Sequence, residues 1–134
     1  MAHTDPHLKL ERPAPGVAWI TLDNPAQRNA MSAEMTLSWV AAIDELALDR
    51  EVRCVVVTGA GSAFSSGGNT SWIAGSGDGT LNVDGLREQM LGFYRAWLSI
   101  RKLEVPTIAA VNGPAIGAGP VSYTHLTLPT NREV

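Results

Sequence analysis

Arg53-Cys54-Val55-Val56-Val57-Thr58 runs straight into Gly59-Ala60-Gly61-Ser62-Ala63-Phe64-Ser65-Ser66-Gly67-Gly68-Asn69. The first part is a continuous apolar run, the pattern of a strand buried on both faces in a parallel sheet. The second part opens a loop reaching from Gly59 to Gly79 and beyond, long enough to suggest a functional loop rather than a plain connector. The same arrangement returns downstream. Pro106 opens a second apolar run, Thr107-Ile108-Ala109-Ala110-Val111, which ends at Asn112-Gly113-Pro114. Ala115-Ile116-Gly117-Ala118-Gly119 then leads toward an expected helix.

Upstream of this core, two helical patterns and a hairpin complete the reading. Residues 32–49 have Met35, Trp39, Ile43 and Leu46 at helical spacing, with Leu37, Val40 and Ala47 widening the stripe. Ser32 is placed to cap that helix and Glu34 lies in its first turn. Residues 8–12 alternate apolar and polar. Pro13, Pro15 and Gly16 mark a turn, and Val17-Ala18-Trp19-Ile20-Thr21-Leu22 favours a returning strand. Between the two apolar runs, residues 84–102 place Leu86, Met90, Phe93, Trp97 and Ile100 along one helix face. The order β-β-α-β-loop-α-β-turn is α/β, and its two β-α-β steps favour a mainly parallel sheet with right-handed crossovers and flanking helices. The four tryptophans are spread along the chain and read as packing residues.

Composition excludes several classes. The chain has 134 residues and a formal net charge of −3, which argues against a general nucleic-acid binder. Cys54 is the single cysteine, so no internal disulfide and no cysteine-based zinc cluster can form. Its place inside an apolar run reads as inert core. No apolar run approaches the ~18–20 residues needed to span a bilayer, so no membrane partner is expected. Residues 1–7 lack the order of a secretory signal and read as a flexible N-terminus, which makes a cytoplasmic protein the expectation. His3 and His7 stand four apart, a metal-ligand spacing, but Pro6 argues against a helix there and no metal site is assigned. Glu104 is noted only as an acid near the second strand.

The two glycine-rich turns are where chemistry can reside. Ligands gather beyond the carboxyl ends of parallel strands, and small residues let backbone N–H groups approach them. One N–H from each turn, converging on one oxygen, would make an oxyanion hole. Spacing alone slightly favours a purely structural role for both turns, since glycine-rich turns are common in α/β folds. Other glycine motifs fail. Gly59-Ala60-Gly61-Ser62-Ala63-Phe64 lacks the last glycine of a dinucleotide fingerprint, no Gly-Lys-Ser/Thr exists, and neither Ser65 nor Ser66 sits in Gly-x-Ser-x-Gly.

Three blocks taken together resemble the crotonase (enoyl-CoA hydratase/isomerase) family, from about Leu8 to Gly119. They are Ile20-Thr21-Leu22-Asp23-Asn24-Pro25 with Arg28-Asn29-Ala30-Met31-Ser32; Val55-Val56-Val57-Thr58-Gly59 with Ala63-Phe64-Ser65-Ser66-Gly67-Gly68-Asn69; and Val105 through Gly119. The resemblance implies part of a crotonase-type spiral of β-β-α units, an acyl-CoA thioester as partner, and no cofactor beyond the coenzyme A of the substrate. Carried over by motif, the backbone N–H groups of Ser66 and Ala118 would form the oxyanion hole for a thioester enolate. Gly67, Gly68, Asn69 and Gly117 would line the acyl-CoA cleft. Arg28, Asn29 and Ala30 would lie near the adenine and pantetheine arm, with Arg28 offering a phosphate a charged fork. Asn69 stands where many members have Asp.

The most favoured activity is enoyl-CoA hydration. Isomerisation, thioester hydrolysis, dehalogenation and decarboxylation use the same hole with other acids, and a non-catalytic acyl-CoA-binding remnant is a further alternative. A Clp-like serine peptidase shares the spiral but would need a Ser-His-Asp set that the matching region lacks. In family hydratases two glutamates handle water and proton, the first two residues past Gly119, where this chain has Val121. Neither acid can be assigned. Residues 120–134 contain no glycine or alanine, where about three or four would be usual, and read as a non-native tail. The family's oligomer-forming helices, which make trimers or hexamers, have no counterpart here. A chain read as the N-terminal part of such a domain should leave apolar surface uncovered.

Overall fold

The computed structural model describes residues 3–5, 7–68 and 83–117. Strands β1 (His3–Asp5), β2 (Leu8–Ala14) and β3 (Val17–Leu22) are followed by helix α1 (Ala33–Leu48) and strand β4 (Cys54–Gly59). Helix α2 (Val83–Trp97), a 3-10 turn (Leu98–Lys102) and strand β5 (Thr107–Ala109) complete the order. One sheet of order β1-β2-β3-β4-β5 results. β3, β4 and β5 run parallel, and the hairpin extends this part antiparallel through β2 and β1. Where a loose N-terminus was expected, β1 pairs His3–Asp5 with Leu10–Leu8.

The register builds the core in rows. Leu10 pairs with Ile20, Ile20 with Val57, and Val57 with Ala109, and all four are buried. Leu8–Leu22 and Ala18–Val55 make parallel rows on the same face. Period-2 alternation puts Trp19, Val56 and Ile108 on the opposite face, where each is only half-buried. β4 is therefore not buried on both faces as its apolar run suggests, and Cys54 is half-buried rather than core. Helices cover one face of the described sheet. Leu48 at the end of α1 and Ile116 beyond β5 are exposed large apolar side chains.

Helix α1 begins where its cap predicts. Ser32 has extended backbone, and its Oγ accepts from the Met35 N–H at 3.1 Å and bonds the His7 Nδ1 at 3.0 Å. Met35, Trp39, Ile43 and Leu46 are buried, but Leu37 and Ala47 are exposed, so the stripe is narrower than the sequence reading. Leu37 lies about 200° around the helix from Met35 and Trp39. On α2 the expected face is buried only at Phe93 and Trp97, continuing to Ile100 in the 3-10 turn, while Met90 is exposed and Leu86 half-buried. The cause is where the helices meet. Trp39 and Trp97 stack with ring centroids 4.7 Å apart. The Trp97 indole donates to Thr36 Oγ1 at 3.0 Å, and the Trp39 indole donates to the Trp97 carbonyl at 3.1 Å. Contact is thus made at the C-terminal end of α2.

β5 is shorter than the run 107–111. Val111 is exposed, and side chains replace the ladder beyond Ala110: Thr58 Oγ1 donates to the Ala110 carbonyl, and the Gly59 N–H donates to Asn112 Oδ1.

Candidate functional site

The site is assembled at the carboxyl ends of β3, β4 and β5. After β3 the chain makes a 3-10 turn over Pro25–Gln27 and then holds two successive left-handed residues, Arg28 (φ 52) and Asn29 (φ 57). Asn tolerates this region because its short polar side chain bonds locally. Here Asn29 Oδ1 accepts from the Asn24 N–H at 2.8 Å, closing the turn.

The same carboxamide reaches across to the loop after β4. Asn29 Nδ2 donates to the carbonyls of Ala60 (2.9 Å), Ala63 (3.0 Å) and Phe64 (3.2 Å). Its backbone carbonyl accepts from Ser65 Oγ at 2.8 Å, and Ser65 Oγ accepts from the Gly67 N–H. From the other side, Asn112 Nδ2 donates to the carbonyls of Gly61 and Ala63. Two asparagines, one from each neighbouring connection, therefore hold the 59–64 turn. Glycine is required where backbones touch: a Cβ on Gly59 would come within 2.6 Å of the Phe64 carbonyl, and one on Gly113 would collide with the Ser62 carbonyl.

The two glycine-rich turns meet directly. The Phe64 N–H donates to the Pro114 carbonyl at 3.0 Å, and the Ile116 N–H donates to the Ser65 carbonyl at 3.0 Å, so Ser65 and Ala115 form a parallel bridge. Gly67 is buried and its carbonyl accepts from the Met31 N–H. Gly68 is half-buried, Gly117 is exposed with φ 59, and Arg28 is exposed. Asn69 and Ala118 lie outside the described residues, as do Val121 and the tail.

Two sequence expectations change. Asn29 is fully buried, and both ends of its carboxamide are engaged within the chain, so it is a scaffold group rather than a lining group. Ala30, 9 % exposed, likewise offers almost no surface. Ser66 carries a further surprise. Its N–H donates to the Arg28 carbonyl at 2.9 Å and its Oγ to the Gln27 carbonyl at 3.2 Å. The donor assigned to the hole is engaged in this conformation. The Asn112 clamp was not found from sequence; an Asn-Gly turn directly after a buried strand is the signal that pointed nearest to it.

Residues 12–123 match the family model for enoyl-CoA hydratase/isomerase. The chain belongs to the enoyl-CoA hydratase/isomerase family. A probable enoyl-CoA hydratase of Mycobacterium tuberculosis is 43% identical over 103 residues, 77% of this chain and 38% of that protein. A 4-chlorobenzoyl coenzyme A dehalogenase of Arthrobacter sp. is 32% identical over 118 residues, 88% of this chain and 42% of that protein. The crystal structure of an enoyl-CoA hydratase/isomerase from Xanthobacter autotrophicus Py2 superposes with a TM-score of 0.77 at 34% identity, covering 89% of this chain and 43% of that one. This family member thus spans about two fifths of the length of the relatives it matches. Among the described residues no helix is long and apolar enough to cross a membrane.

Proposed function

We propose that the whole protein acts on an acyl-CoA thioester, with enoyl-CoA hydration as the favoured reaction. The observation that carries this reading is the direct pairing of Phe64–Ser65 with Pro114–Ile116. It brings the two turns assigned as donors to one edge of a parallel sheet, in a chain of the enoyl-CoA hydratase/isomerase family. The proposed donors to the thioester oxygen as it becomes an enolate are backbone N–H groups of these two turns, Ala118 in the second; the Ser66 N–H, assigned from the motif, would have to leave the Arg28 carbonyl to serve in the first. Each such donor contributes about 3 kcal/mol of barrier lowering. Gly67, Gly68, Asn69 and Gly117 are the proposed cleft lining, and exposed Arg28 the proposed phosphate contact. No further cofactor enters the proposal, because thioester and hole together supply the electrophile. The assembly proposed for the whole protein is the trimer or hexamer of its family.

The proton-handling groups decide which reaction follows. A hole polarises a thioester without choosing between hydration, isomerisation and dehalogenation. The dehalogenase among the relatives keeps those alternatives open. If residues 120–134 are native, Val121 in place of the first expected acid favours a second reading, an acyl-CoA-binding protein without turnover.

The test is calorimetry with butyryl-CoA followed by loss of enone absorbance with crotonyl-CoA. Binding with hydration supports the favoured reading. Binding without hydration, and without turnover across a panel of acyl-CoA substrates, supports the second. Absence of binding removes both.

A further inference from the structure

Helix α1 has a second row of side chains that the sheet does not use. Leu37, Ala41, Asp44 and Leu48 follow one another at steps of four, three and four residues, the spacing of a seam between paired helices. All four are exposed, and Leu48 at 85 % and Leu37 at 72 % are the most exposed large apolar side chains among the described residues. The two edges of this row carry opposite charge. On one edge stand Glu34, Glu45 and Asp49. Among the described residues their one ion-pair partner is Arg12 of β2, 3.0 Å from Glu45 and 3.1 Å from Asp49. On the other edge Val40 shares an open hollow with Arg95 in the last turn of α2 and with Leu98, Arg101 and Lys102 of the 3-10 turn. Lys102 reaches Asp44 at 3.4 Å, while Arg95 and Arg101 have no ion-pair partner among the described residues. Acid is thus in excess on one edge and cation on the other.

We propose that this face of α1 binds a second copy of the chain, with the two α1 helices parallel about a two-fold axis. The charges select both the occupant and the direction. A two-fold axis running along the helices sets the acidic edge of each copy against the cationic edge of the other. Lys102, held at the height of Asp44, then faces Glu45 of the other copy. Reversing one helix brings like edges together and opposes cation to cation. In the parallel pair Leu37 and Leu48 each meet their own counterpart, and Ala41 between them lets the backbones approach. Asp44 is the polar member of the seam. Its two copies meet across the axis, each with its Lys102, and such a group fixes register at a cost in affinity. Two leucines from each copy bury too little surface for a tight dimer, so a dissociation constant of about 0.1 mM is expected. At micromolar dilution the copies are apart, and the pairing adds nothing to the folding stability of either. The pairing needs no acyl-CoA and stands apart from the reading above.

The experiment begins with sedimentation of the unmodified chain from about 10 μM to about 1 mM. It should pass from monomer to dimer, and added salt should shift it back. Arg101→Glu removes no ion pair within the chain and should weaken association at least about ten-fold. Direction is read with cysteines in a Cys54→Ser background, oxidised by air. Leu37→Cys and Leu48→Cys should each give a disulfide-linked dimer with itself. A parallel pair brings like positions within the ~6 Å between Cα atoms that a disulfide needs, and leaves unlike positions three turns apart. Cross-linking only when the two variants are mixed means antiparallel helices and overturns the proposal. So does a chain that stays monomeric at the highest concentration, which leaves this face to another occupant, or one that associates beyond the dimer. Cross-linking no faster than at Glu11→Cys, an exposed control position on β2, reports random collision and overturns it as well.

Discussion

Trp97 and Asn29 are both fully buried, yet they close their surroundings by different means. Around Trp97 the contacts are broad and apolar: the Trp39 ring at 4.7 Å, Phe93 tilted at 6.4 Å, and a single indole N–H that finds Thr36. Around Asn29 the contacts are narrow and directional, a carboxamide shared among one N–H and three carbonyls. Dispersion and hydrophobic burial are non-directional, so the helix interface tolerates small displacements. Hydrogen bonds weaken steeply with angle, so the turn that carries Ser66 is held in one geometry or not at all. The helix side supplies stability and the turn side supplies position.

The largest expected effect falls on the helix side. Trp97→Ala removes the stacked ring and should cost about 3–5 kcal/mol in urea denaturation. Trp97→Phe keeps most of the ring and deletes one hydrogen bond with Thr36, for a smaller loss of about 1 kcal/mol beyond the volume change. A loss for Trp97→Ala no larger than that for Trp97→Phe would erase the distinction between the two regions.

Asn29→Ala comes next. It strands the Asn24 N–H and takes one donor from the carbonyls of Ala60 and Phe64, while the Ala63 carbonyl keeps Asn112. A cost of about 2–3 kcal/mol is expected. Asn29→Asp should not rescue it, because a carboxylate placed against three carbonyls has no protons to give. Full stability in the Asp variant would show that shape alone holds the turn. Ser32→Ala is smaller, about 1 kcal/mol, since it removes one cap acceptor from α1 together with the partner of His7. A Ser32→Asp variant should restore most of that stability.

The same contrast explains what the sequence made legible. Periodicity reports burial, so Ile20, Val55, Val57, Met35, Trp39 and Trp97 could all be placed from spacing. Family motifs brought the two glycine turns together, and the bonds between Ser65 and Pro114–Ile116 agree with that expectation. What stayed hidden was polar and local. Nothing in the order Arg28-Asn29-Ala30 says that Asn29 turns inward, because an asparagine at a turn reads the same whether its carboxamide meets solvent or buried carbonyls. The engagement of the Ser66 N–H with the Arg28 carbonyl was equally hidden, since a motif names a donor and not the partner the fold gives it. β4 misled for another reason: a run of valines has the same pattern whether or not its second face is covered, and here Val56 is half-buried.

Leu37 gives the smallest predicted effect and the sharpest check on the helix side. Its hydrophobicity placed it in the apolar stripe of α1, but it is 72 % exposed. Leu37→Ala removes little buried surface, and alanine is a slightly better helix former than leucine. The expected change in unfolding free energy is within about 0.5 kcal/mol. A buried leucine at this position would cost about 2–5 kcal/mol instead. A loss of that size in the 134-residue chain would mean that α1 presents a different face to the sheet, and the Trp39–Trp97 stack would then have to be reassigned. A null effect here beside a large one at Trp97 fixes the rotation of the helix from two substitutions.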